Sequence, residues 1–156
     1  MPGLEDLYRE IILDHYKNPR NEGEFPTPPA IKAEGHNPLC GDELTVYVIL
    51  EGSVIKDIRI AGQGCSISRS SASLMSVAVK GKTLQEVDRL LSIFKSMMSI
   101  STNTSGETEA VDPVEYSERE LGELIALQGV VKFPVRIKCA TLSWNTLVQA
   151  LEDRAS

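Results

Sequence analysis

The chain has 156 residues, with 16 Lys and Arg against 22 Asp and Glu and a formal net charge of −6. That length suits one domain around one core, and an acidic balance leaves no chain-wide electrostatic footprint for nucleic acid or acidic lipid. No apolar run approaches the ~20 residues that span a bilayer. The N-terminus MPGLEDLYRE also lacks the basic and apolar regions of a signal peptide, so a cytoplasmic chain with no membrane partner is expected. Three cysteines, an odd number, disfavour a disulfide framework and leave free, metal-bound or reactive thiols.

In chain order, Leu4, Leu7, Tyr8, Ile11, Ile12 and Tyr16 fall at helical spacing and predict a first helix that stops at Asn18 and Pro19. From Asn18 to Pro38 come five prolines (Pro19, Pro26, Pro28, Pro29, Pro38) and two glycines (Gly23, Gly35), so residues 18–38 read as a long proline-rich loop. Leu44, Val46, Val48 and Leu50 then alternate with Thr45, Tyr47 and Ile49. A turn at Glu51-Gly52-Ser53 and a second alternating run from Val54 to Ile60 complete a β-hairpin with one core face. In AGQGCSIS, two glycines bracket Gln63 just ahead of Cys65, which predicts a tight bend where backbone approaches something closely.

Helical patterns follow. Ile67, Ser71, Leu74, Met75 and Ala78 share a face as far as Gly81. TLQE is a capping box that opens a helix through Leu84, Val87, Leu90, Leu91 and Phe94. Residues 99–117 are polar and acidic without an apolar period and read as an insertion, after which SERE caps a short helix ended by Gly129. Pro134 suits the first turn of a last helix with the stripe Ile137, Thr141, Trp144, Val148 and Leu151. There is no repeat or second domain, so residues 1–156 are expected to form a single α+β unit.

The residues that can carry chemistry are few. Cys40 and Asp42 flank Gly41, whose backbone freedom lets both side chains be aimed at one point. Cys139 lies two residues after Ile137, roughly 200° around the helix from the stripe, and is expected to point away from the core. In the first turn, beside Arg136 and Lys138, its thiol pKa should be lowered. Against that stands the ordinary free cysteine, a small buried hydrophobe. Cys40, Cys65, Cys139 and Asp42 together are donors of the kind tetrahedral zinc takes, although no C-x2-C pair is present and spacing alone leaves metal binding open. His15, on the last turn of the first helix, reads as a cation complementing the helix dipole. His36 precedes Cys40 by four residues and is in reach of a metal should Asp42 leave. Trp144, Met97 and Met98 read as core or partner surface.

At these residues the chain resembles the SufU branch of the IscU and NifU-N family of iron-sulfur cluster assembly proteins. The resemblance runs through LYREIILDHYKNPRNEG, NPLCGDEL, GQGCSISRSSASLM and ALQGVVKFPVRIKCATLSWNTL, separated motifs in the family's order. It implies a small antiparallel sheet of about three strands with helices packed on one face, a SufE/NifU-like fold. It also implies a metal site at Cys40, Asp42, Cys65 and Cys139. The residue before the third cysteine is typically histidine in the scaffold branch and is Lys138 here. With the long span between Cys65 and Cys139, this points to the SufU side. The insertion exceeds the family's usual length.

The mechanism implied by the resemblance begins with a pyridoxal-phosphate (PLP) cysteine desulfurase, SufS-like, carrying a persulfide, with this chain as sulfur acceptor and further iron-sulfur assembly components downstream. Cys40, on the loop side, is the expected nucleophile, with Arg136 supporting Asp42 or the transferred sulfur. Three readings remain open at this point: a zinc-dependent sulfurtransferase, a scaffold for a transient two-iron two-sulfur cluster with iron in place of zinc, and an interaction domain whose zinc is only structural.

Overall fold

The computed structural model describes residues 2–26, 30–37, 41–99, 118–132 and 134–153. The elements are α1 (Pro2–Lys17), β1 (Ile31–Asn37), β2 (Asp42–Glu51), β3 (Val54–Gln63), α2 (Ser66–Val79), α3 (Leu84–Ser99), α4 (Glu118–Leu121), a 3-10 stretch (Gly122–Lys132) and α5 (Pro134–Asp153). The strands form one antiparallel sheet in the order β1-β2-β3. This is the expected α+β class.

The β2–β3 hairpin follows from the alternation in the sequence. Val46, Val48, Ile58 and Ile60 are buried on one face of the sheet, Gly52 takes the turn with φ +62°, and a bulge at Ile49/Leu50 adjusts the register. Residues 21–26 pair along the edge of β3 and continue over the opposite face. Gly23 and Asn21 pair with the backbone of Ile60, the Tyr47 hydroxyl donates to Glu24 at 3.0 Å, and Arg59 stacks on Phe25 at 4.7 Å. The helices take the other face, where α5 lies against β1, β2 and α2, and α1 against α2. Trp144 of α5 is fully buried and stacked on Phe94 of α3, centroids 4.6 Å apart. Met97 and Met98 are buried beside them and belong to the core.

The structure departs from the sequence reading in two elements. Residues 31–37, read as part of the proline-rich loop, form β1. The prolines stand before and after IKAEGHN but not within it, and its alternation was masked by Gly35 and Asn37 at inward positions. Gly35 is needed there, because a Cβ would run into Thr146 and come within 3.1 Å of Leu142, so its absence lets β1 press directly on α5. The short helix expected to run to Gly129 stops as α4 at Leu121. Gly122, at φ +56°, takes the left-handed conformation that ends an α-helix, and a 3-10 stretch continues past Gly129. The capping box before α3 is present as read: Glu86 N–H donates to Thr83 Oγ1 and Thr83 N–H to Glu86 Oε1, both at 3.1 Å. The polar insertion lies outside the described residues except for its first residue, as do the cap at Ser117 and the side chains of Leu4, Leu7 and Tyr8.

Candidate metal centre

Three of the four predicted ligands converge. One carboxylate oxygen of Asp42 and the sulfurs of Cys65 and Cys139 all lie within 4.8 Å of one another. Two sulfurs on one tetrahedral zinc stand about 3.8 Å apart at Zn–S distances near 2.3 Å, so the set needs only a small contraction to close on an ion. Cys40 lies outside the described residues.

Each donor is placed by a different piece of local structure. Asp42 opens β2, directly opposite Asn37 of β1 in the ladder, and is buried on the helix side of the sheet. Its Oδ1 accepts the Cys65 N–H at 2.9 Å, whereas Oδ2 is buried with no hydrogen-bond partner among the described residues. An oxygen of a carboxylate enclosed in this way carries a desolvation cost that a cation offsets. Cys65 is the N-cap of α2: its sulfur accepts the Ser68 N–H at 3.5 Å and sits at the positive end of the helix dipole. The side chain is half-buried, and its neighbours Gly62 and Gln63, like Gly41 beside Asp42, are exposed. Cys139, in the second turn of α5, is fully buried, and the Asn37 amide donates to its sulfur at 3.8 Å.

Two glycines make room for this approach, as the bend in AGQGCSIS predicts. At Gly64 a Cβ would stand 2.6 Å from Asp42 Oδ1 and run into Ser68 Oγ. Gly62, at φ +132°, passes so close to the backbone carbonyl of Glu43 that a side chain has no space. The α2 and α5 ligands are latched by the Ser71 hydroxyl, which donates to the carbonyl of Ala140 and lies 3.4 Å from Ser143 Oγ. The donor chemistry therefore fits a borderline-soft divalent ion: two sulfurs, one oxygen with an unused lone pair, and negative charge in a partly enclosed space.

The remaining sequence assignments divide. Cys139 does not point away from the core. The exposed stripe of α5 is Lys138, Asn145, Gln149 and Glu152, and the helix is buried around most of its circumference because β1 and α2 cover the sides that a single apolar stripe leaves open. Arg136 is exposed, one turn before Cys139. His36 is exposed on the outer face of β1, where strand alternation turns it away from the space that Asn37 enters. His15 is not a surface cation. It is buried with Nδ1 2.7 Å from Ser73 Oγ and Nε2 3.4 Å from Glu123 Oε1, and burial depresses its pKa below the usual imidazole value, which keeps the ring neutral at pH 7. Asn37 and Ser68 were not anticipated. Their signal is indirect: an asparagine closing a strand one step before Pro38, and a hydroxyl three residues after a helix-capping cysteine.

The NifU-like N-terminal domain matches residues 7–140. The chain belongs to this family. It is 44% identical over 145 residues to the zinc-dependent sulfurtransferase SufU of Bacillus subtilis (strain 168), covering 92% of this chain and 88% of that one. It is also 38% identical over 153 residues to the iron-sulfur cluster assembly scaffold protein IscU of Streptococcus pyogenes serotype M1, covering 98% and 87%. Among solved structures it is similar to an iron-sulfur cluster assembly scaffold protein for the SUF system from Fervidobacterium islandicum AW-1. That similarity has a TM-score of 0.74 and 34% identity over 91% of this chain and 94% of that one. The NifU-like N-terminal domain from Brucella abortus shares the fold, with a TM-score of 0.75 at 21% identity over 96% and 94%.

Proposed function

We propose that this chain is a zinc-dependent sulfur acceptor in iron-sulfur cluster assembly, taking persulfide sulfur from a PLP-dependent cysteine desulfurase in the cytoplasm. The observation that carries the reading is the buried Oδ2 of Asp42, unpartnered among the described residues, beside the sulfurs of Cys65 and Cys139, in a chain with 44% identity to a zinc-dependent sulfurtransferase. Cys40, Asp42, Cys65 and Cys139 would hold the zinc. When bound, zinc keeps the cysteines deprotonated and shields them until the donor arrives.

The acceptor in this reading is Cys40. Cys139 is fully enclosed and Cys65 is tied into the first turn of α2, whereas Cys40 belongs to the short connection between Asn37 and Asp42. The Cys40 thiolate attacks the outer sulfur of the donor persulfide. A new S–S bond forms as the donor's S–S bond breaks, and the donor cysteine leaves as thiolate and takes up a proton. The exchange needs no external oxidant or reductant. Arg136, exposed one turn before Cys139, is assigned to hold the negative persulfide at the rim.

The second reading, a scaffold for a two-iron two-sulfur cluster on the same ligands, is favoured by the likeness to IscU over 98% of this chain. The two separate in the protein purified without oxygen. The acceptor reading expects about one zinc per chain and no visible absorbance; stoichiometric iron and sulfide with a visible spectrum would replace it with the scaffold.

A further inference from the structure

We infer that Asn37 is a positioning residue that fixes Cys139 as a permanent metal ligand and withholds it from sulfur transfer, an inference that rests on the acceptor reading for its second half. Asn37 is the last residue of β1 and is 94% buried, at 6% exposure. An asparagine is poorly suited to a buried strand position, since its amide must be stripped of water. What it meets there is the sulfur of Cys139 at 3.8 Å, toward which it directs its NH2 group. A thiolate has no proton to give, so this orientation is the one that a metal-bound or deprotonated Cys139 accepts.

The placement is built rather than incidental. Asn37 and Asp42 face each other across the β1–β2 ladder, and these two polar side chains serve the two cysteines: Asp42 Oδ1 accepts the N–H of Cys65, and Asn37 donates to the sulfur of Cys139. Gly35, on the same face of β1 two residues earlier, lets the strand lie against Leu142 and Thr146. Leu142 is one turn along α5 from Cys139, so that close approach is what brings Asn37 into reach. An N–H donated to a thiolate draws electron density from the sulfur and fixes its rotamer. Partners of this kind outside the ligand shell tune metal sites strongly. The result is a cysteine that stays on the metal and is a poor nucleophile, leaving transfer to the thiol in the connection that follows Asn37.

The test uses Asn37→Leu, which keeps the branched shape of the side chain and removes the donor, and Asn37→Ala, each compared with the parent chain after reconstitution with cobalt(II). In both variants the sulfur-to-cobalt charge-transfer band should move to lower energy, and zinc affinity by chelator competition should fall by about 10-fold, the lower end for loss of such a partner. In Asn37→Ala, which also opens space beside the enclosed sulfur, labelled sulfur from the desulfurase, confined to Cys40 in the parent, should also appear on Cys139. If both variants merely melt earlier, with the cobalt band and the zinc affinity of the parent, then Asn37 only closes the ladder and the inference is overturned. A parent that takes no label sinks the acceptor reading instead, while the cobalt band still decides the role of Asn37.

Discussion

Replacing Gly64 by alanine is the smallest perturbation that should dismantle the site. The added methyl would stand 2.6 Å from Asp42 Oδ1, where ordinary contact begins near 3.4 Å, so the carboxylate must retreat by about 0.8 Å. The Cys65 N–H···Oδ1 bond is 2.9 Å long and does not survive such a shift. Loss of a backbone hydrogen bond to a charged acceptor costs about 2 kcal/mol, equivalent to roughly 4–8 °C in Tm for a domain of this size. Because Asp42 and Cys65 move apart together, zinc affinity should drop by about 10- to 100-fold. The assay is a thermal melt with and without zinc, combined with chelator competition. Gly129→Ala is the control, since nothing lies within 4 Å of its Cβ position. A Gly64→Ala protein that melts and binds zinc like the parent would refute the assignment of this cradle.

Three further outcomes are expected. The folded-state pKa of His15 lies below 6.5 because its ring is buried, with Arg20 opposing and Glu123 and Asp14 favouring the charge. The unfolded chain therefore takes up the proton first, the stability from neutral His15 is complete above about pH 6.5, and Tm should fall as the pH drops below it; His15→Gln should flatten that fall, and parallel curves would contradict it. Trp144→Ala should destabilise by about 3–5 kcal/mol, read by denaturant unfolding followed by circular dichroism, because the ring is fully buried against Phe94; a loss under 1 kcal/mol would mean this stack is not central to the core. Cys65→Ala and Cys139→Ala should lose both zinc and sulfur acceptance, whereas Cys40→Ala should lose acceptance but keep part of its zinc, as elemental analysis and sulfur labelling would report. Full acceptance by Cys40→Ala would move the nucleophile elsewhere.

The β2–β3 hairpin and the helix starts were legible because each rests on local chemistry: alternation over Val46 and Val48, a glycine at the turn, and the reciprocal Thr83 and Glu86 bonds. β1 was hidden because its inward positions include Gly35 and Asn37, residues chosen for contact with α5 and Cys139 rather than for strand preference. The phase argument at Cys139 failed for a related reason. A stripe calculation assumes one buried side, and α5 is enclosed by β1, β2 and α2. Serines 70, 71, 73 and 76 of α2 are likewise all buried, with hydroxyls donating to carbonyls or meeting His15, a polar interior that no apolar period reveals. The ligand types were readable from the sequence, and the partners that orient them were not.

The central claim is that zinc on this site readies a cysteine for sulfur transfer. Its most direct test is the rate of alanine release by a cysteine desulfurase with the zinc-loaded chain, set against the same chain stripped of zinc and verified as folded by circular dichroism. The account predicts that turnover rises with the zinc-loaded chain, with labelled sulfur recovered on Cys40, and that stripping abolishes the rise. Equal stimulation by the folded zinc-free chain would contradict it.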